Sequence, residues 1–152
     1  LDDLFHGVVT VIGAMYADGQ GVKQDYAEAA KWFRRSADQG SARGQFNLGT
    51  MYRNGQGVPQ NDAEAVKWFL LAAAQGYVFA QVNLGTVYTE GKGVPQNDAE
   101  AAKWFRLAAE QGHPGAQFNL ALLFAKGKGV PRSDAEAVKW ARLAADQGHV
   151  LA

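Results

Sequence analysis

Tryptophan occurs at Trp32, Trp68, Trp104 and Trp140 and nowhere else, each 36 residues from the next. The same step links Gly21, Gly57, Gly93 and Gly129, and again Gly40, Gly76, Gly112 and Gly148. A fixed period of this length marks stacked supersecondary units, each too small to bury its apolar face alone. The segment 55–76 is nearly the same text as 91–112. The sequence therefore reads as a single repeat array over residues 1–152, with units at about 5–40, 41–76, 77–112 and 113–148 and a stub at 149–152.

Each unit reads as two helices, which makes the fold class all-α: a solenoid of helix–loop–helix repeats of 36 residues. The second helix has the clearer signal. Asp25, Asn61, Asn97 and Ser133 share one repeat position, and Glu28, Glu64, Glu100 and Glu136 follow three residues later. That is a capping-box pattern, in which cap and Glu are expected to satisfy each other's backbone N–H groups. Apolar residues at helical spacing follow, as in Ala65, Trp68, Phe69, Ala72 and Ala73, and Gly76 ends the run. Second helices are expected near 26–39, 62–75, 98–111 and 134–147.

The first helix of the second unit is expected over about Ala42 to Asn54, with Gly44, Leu48, Met51 and Tyr52 buried. Ala80, Leu84, Val87 and Tyr88 repeat this stripe, as do Ala116, Leu120, Leu123 and Phe124. The first unit is degenerate, yet Gly13 and Tyr16 keep its phase and place a helix at about 5–18. Small residues at Gly49, Gly85 and Ala121 admit a close neighbour. Between the helices lies GxGV, whose glycines are expected at positive φ. The motif lacks the strand and the Lys of a nucleotide loop.

The chain carries 15 basic and 15 acidic residues, so no positive excess points to nucleic acid or to an anionic membrane surface. No apolar run reaches the length of a membrane span. Cysteine is absent, which removes disulfides, thiolate metal sites and a cysteine nucleophile. His6, His113 and His149 form no paired-ligand motif, and no GxSxG elbow occurs. No catalytic residue, metal site or cofactor is expected.

Ala80, Leu84, Gly85, Tyr88, Gly91, Gly93, Val94, Ala101, Trp104, Ala108, Ala109 and Gly112 follow one order and spacing. In these residues the chain resembles the Sel1-like repeat family, relatives of tetratricopeptide repeats with a longer interhelical loop. Val8 and Thr10 depart from the pattern in the first unit, and Ala121 in the fourth. The resemblance implies a right-handed superhelix with first helices on the concave side, and a scaffold or adaptor role. Some cysteine-rich members are linked to β-lactam binding or hydrolysis. Their disulfide-linked helix pairs have no counterpart in this chain, so that alternative rests on family analogy alone.

The Trp, Leu, Ala and Gly columns are needed for stacking, so binding residues are expected on the other face of the first helices. Asn47, Asn83 and Asn119 form one column there, flanked by Phe46, Val82 and Phe118 and by Thr50, Thr86 and Leu122. Phe79 stands where the other units have Arg43 and Gly115. An Asn amide offers both a donor and an acceptor to an extended backbone, so these residues are expected to bind a peptide or partner helix. The competing reading makes them contacts between repeats. Lys31, Lys67, Lys103 and Lys139, each three residues after a Glu, suit a solvated surface. Phe33, Phe69 and Phe105 are expected to hold the next repeat. Ala141 stands in their place in the fourth unit, which suggests that the array ends there, with weak end-to-end self-association of the exposed face.

Overall fold

The computed structural model describes the backbone of residues 2–150 and the side chains of residues 4–148. Its eight helices contain no strand among the described residues: α1 (Asp2–Asp18), α2 (Tyr26–Asp38), α3 (Ala42–Asn54), α4 (Asp62–Ala74), α5 (Val78–Glu90), α6 (Asp98–Glu110), α7 (Pro114–Lys126) and α8 (Asp134–Val150). Odd-numbered helices are the first of each pair. The chain divides into two compact units, residues 1–77 and 78–152, each holding two helix pairs. Within a unit every helix packs on the next, α1 to α4 in one and α5 to α8 in the other.

The second helices begin where the caps require. Asp25, Asn61, Asn97 and Ser133 accept the N–H of Glu28, Glu64, Glu100 and Glu136 at 3.0, 3.0, 3.1 and 3.2 Å. The reciprocal half of the expected capping box does not form. The cap N–H groups instead donate to the carbonyls of Tyr16, Tyr52, Tyr88 and Phe124, at 2.9 to 3.1 Å. The glutamates turn outward to the lysine column, as in Lys31–Glu28 at 2.7 Å and Lys67–Glu64 at 2.9 Å. Hydrogen bonding and charge from Glu28 hold the Lys31 ammonium above the usual lysine value. In α8 the carboxylate is shared: Glu136 lies 4.0 Å from Lys139 and accepts the Trp140 indole N–H at 3.1 Å.

The same cap bonds close the long interhelical loop, tying the start of each second helix to the last turn of the first. Its glycines take left-handed conformations, φ 66° and 71° at Gly55 and Gly57 and 63° and 70° at Gly127 and Gly129. A side chain at Gly57 would strike the Tyr26 carbonyl, and one at Gly129 the Asp98 carbonyl. These loops therefore seat against the start of the previous second helix, and only glycine fits.

The deepest side chains differ from those expected. Trp104 and Trp140 are buried, but Trp32 and Trp68 are only half-buried. The ring at the centre of each pair is the phenylalanine that follows, Phe33, Phe69 or Phe105, all buried. Phe33 shares its core cluster with Leu48 and Met51 of the next repeat, and Phe105 with Leu120 and Leu123. The ring also lies on the glycine of its own first helix: a Cβ at Gly13 would come within 2.7 Å of Phe33, one at Gly49 within 2.8 Å of Phe69, and one at Gly85 would overlap Phe105. The fourth repeat changes both partners at once. Ala121 takes the glycine position and Ala141 the phenylalanine position, so the methyl group occupies space the ring has left. A smaller exchange follows the same rule. Ser36 faces Gly44, where an added Cβ would overlap the Ser36 hydroxyl, while Ala108, which lacks that hydroxyl, faces Ala116 in the second unit.

Helix α8 runs through Gly148 to Val150, beyond the expected end at 147. Elsewhere this glycine breaks the helix at φ near 90°, and the residue after it donates back to the last turn as the following first helix folds over. Without a Cβ, glycine takes helical φ as readily as left-handed φ, so α8 can run through Gly148. Of the stub expected at 149–152, residues 151–152 and the His149 side chain lie outside the described residues.

The one-sided cap has a measurable consequence. Replacing Asn97 with Ala is expected to cost about 1 kcal/mol, as for other N-caps. Glu100→Gln should change stability by less than about 0.5 kcal/mol, as at ordinary surface positions. Urea unfolding that shows equal losses would restore the reciprocal box.

Candidate functional site

The first helices are fixed in rotation by a set of buried amides that the sequence reading passed over. Gln45, Gln81 and Gln117 are buried on α3, α5 and α7. Each Oε1 accepts the Nε2 of a glutamine at the end of its partner helix: Gln75 at 2.9 Å, Gln111 at 2.8 Å and Gln147 at 2.9 Å. Gln75 also donates to the Gly40 carbonyl and Gln147 to that of Gly112, both in the preceding repeat. Gln117 donates to the Ala109 carbonyl at 3.2 Å. Two glutamine columns at the 36-residue period were visible in the sequence. Glutamine passes for a surface residue there, and only the contacts show that the two columns meet.

With that face pinned, the residue two places on points into a cleft. In the second unit a cleft of about 480 Å³ is lined by Thr86, Thr89 and Glu90 of α5, by Gln96, Asp98 and Phe105, and by Asn119, Leu122, Leu123, Lys126 and Lys128. The first unit has one of about 370 Å³, lined by Ala14, Ala17, Asp18, Tyr26, Phe33, Arg43, Asn47, Thr50, Met51 and Gln56. The two are one feature seen twice. Asp18 corresponds to Glu90, Tyr26 to Asp98, Phe33 to Phe105, Asn47 to Asn119, Thr50 to Leu122 and Gln56 to Lys128, each pair two repeat periods apart. Both clefts lie between successive first helices, with the buried phenylalanine at the base and the interhelical loop at one end.

The expected site residues separate into three kinds. Asn47 and Asn119 are half-buried in their clefts, and neither side-chain amide has a hydrogen-bond partner among the described residues. Thr50 lines the first cleft and donates to the Phe46 carbonyl at 3.0 Å, while Thr86 and Leu122 line the second. Asn83 differs from its column: its Nδ2 donates to the Phe79 carbonyl at 3.0 Å, one turn back on α5. Phe46 is taken up in packing, 5.7 Å from the Phe69 ring and 5.2 Å from Tyr77, and Val82 packs on the second core. Phe79 and Phe118 remain exposed, at 51% and 54%. Phe118 occupies the repeat position of Phe46, but Ala141 stands where Phe69 would cover it. Phe79 meets His113 edge-on at 6.2 Å. His113 itself caps α7, accepting the Ala116 N–H at Nδ1. No group of three or more His, Cys, Asp or Glu that could hold a metal ion occurs among the described residues.

The family model of the Sel1 repeat matches residues 11–41, 42–77, 78–113 and 114–149, nearly the whole length. The chain belongs to the Sel1 repeat family. Among solved structures it is similar to a protective antigen of uropathogenic Escherichia coli strains that displays an SLR fold. The two are 40% identical with a TM-score of 0.92, over 96% of this chain and 31% of the other. It is also similar to a Sel1 repeat protein from Oxalobacter formigenes, 36% identical with a TM-score of 0.90, over 94% of this chain and 59% of the other. The chain thus spans less than two thirds of either protein. No curated protein matches it. Sel1 repeat proteins generally act as protein-interaction scaffolds, and the chain is an all-α solenoid. No described helix is long and apolar enough to cross a membrane.

Two positions on one Sel1 helix separate architecture from site. Gln117→Ala should cost about 1–3 kcal/mol, since it leaves buried partners unsatisfied. Asn119→Ala, two residues on, should cost less than about 0.5 kcal/mol. Urea unfolding in which Asn119→Ala is the more damaging change would make that amide architectural.

Proposed function

We propose that this chain binds an extended peptide or partner segment along its first helices, with the clefts around Asn47 and Asn119 as the points of contact. This is the face that the family resemblance assigns to the concave side of a right-handed superhelix. One observation carries the reading: the same cleft recurs in both units, and each holds a half-buried carboxamide with no hydrogen-bond partner among the described residues. An amide left unpaired in the folded chain keeps its donor and acceptor for a ligand, and a peptide backbone supplies partners for both. Thr50 and Leu122 would contact side chains of the bound segment, and the exposed Phe79 and Phe118 would add apolar contact beside the cleft of the second unit. Phe46 and Val82 would act through packing. Asn83, already bonded to its own helix, would contribute less than its two counterparts.

The affinity of a peptide selected from a displayed library against the whole chain tests this. Asn47→Ala and Asn119→Ala should each weaken binding about fivefold or more, the value of one hydrogen bond, with the helical circular dichroism unchanged. Asn83→Ala should have a smaller effect. Unchanged affinity in both variants, with binding abolished by substitution of Lys67 and Lys103, would move the site to the second helices.

A further inference from the structure

We propose that the cleft of the second unit selects a segment bearing acidic side chains, and that Lys126 and Lys128 make the selection. The inference rests on the reading of the clefts as peptide sites. Four charged side chains line this cleft: Glu90, Asp98, Lys126 and Lys128. Both acids are engaged within the chain. Glu90 Oε2 lies 3.0 Å from Lys92 Nζ, and Asp98 Oδ1 accepts Gln96 Nε2 at 2.6 Å. Asp98 is also the first residue of α6, where the positive end of the helix offsets a carboxylate. The lysines are not engaged: among the described residues neither has an ion-pair or hydrogen-bond partner. An incoming chain therefore meets carboxylates already engaged within the chain and two open ammonium groups.

Their placement suits one kind of occupant. Asn119, Leu122 and Lys126 follow one another by three and four residues, so they lie on one face of α7. Lys128 follows the left-handed cap Gly127 in the loop at the end of that helix. A segment running along α7 would have its backbone read by Asn119. An apolar side chain would rest on Phe105, Leu122 and Leu123, and its carboxylates would reach the lysines at the far end.

The first unit shows that the fold does not require this charge. At the positions of Lys126 and Lys128 it carries Asn54 and Gln56, whose amides face each other at 3.4 Å. The same frame is thus neutral at that end in one unit and cationic in the other, as expected of a specificity position.

The test uses the whole chain, isotope-labelled, titrated by NMR with two synthetic peptides. One alternates leucine with aspartate, and the other replaces every aspartate with asparagine. The variant K126N/K128Q copies residues the first unit already tolerates. It should weaken the aspartate peptide about fivefold or more and the asparagine peptide less than about twofold. It should also remove the loss of affinity on going from low to physiological salt. N119A should weaken both peptides. If K126N/K128Q leaves the aspartate peptide unaffected while N119A weakens both, the charge selection is wrong and the cleft reading stands. If neither peptide shifts the cleft resonances and N119A changes nothing, the cleft reading fails and takes this inference with it. If a short oligouridylate of matched charge displaces the aspartate peptide at an equal or lower concentration, the lysines serve a phosphate backbone and the proposal is overturned.

Discussion

The structure depends on one contact, an aromatic ring laid on a glycine. In three of the four repeats a phenylalanine of the second helix lies where the first helix has no side chain, at Gly13, Gly49 and Gly85. That contact sets how near the two helices approach, and the alanine columns then fill the remaining space, with Ala29, Ala72, Ala101 and Ala108 wholly buried. A core of alanines has little reach, so it closes only if the backbones are already close. In the fourth repeat a methyl on each helix replaces hydrogen and ring. The variation between repeats thus obeys the volume rule that a comparison of homologues would be used to find.

The same ring links the core to function. Phe33 and Phe105 are buried yet line the two clefts, so the side chain that spaces each helix pair also forms the base of the candidate site. The glutamine pairs fix the rotation of the first helices and leave the next face free to carry Asn47 and Asn119. Division of labour along one helix follows: at 117 an amide is spent on the neighbouring repeat, and at 119 one is left open. A repeat protein has this economy available because every unit solves the stacking problem with the same few columns, and the others are free to differ.

Much of the fold was legible in the sequence because period and capping are local signals. The helices α2, α3, α4 and α6 fall within a residue of their expected spans, and all four caps are where the pattern put them. Misreadings came where the answer depends on contacts distant in sequence. The glutamates match a capping box in spacing, but the cap N–H is claimed by a carbonyl nine residues earlier, as with Asn61 and Tyr52. Tryptophan drew attention as the rarer ring, though the phenylalanine beside it is the deeper one. Of the candidate site, the asparagine column and its threonine and leucine neighbours were readable from the period. The difference between Asn83 and the other two was not, since it depends on which acceptor each amide reaches. Nor did the text distinguish Phe46, enclosed by Phe69 and Tyr77, from the exposed Phe118.

A double-mutant cycle on Gly85 and Phe105, followed by urea unfolding, tests the ring-on-glycine account most directly. With Phe105 present, Gly85→Ala forces a methyl into the ring and should destabilise the chain by about 1–3 kcal/mol. With Phe105 already changed to Ala, the same substitution should be neutral or stabilise by up to about 1 kcal/mol, the ordinary helix preference for alanine over glycine. An equal loss in both backgrounds would mean that the ring and the glycine do not depend on each other, and the account of how these helices are spaced would be wrong.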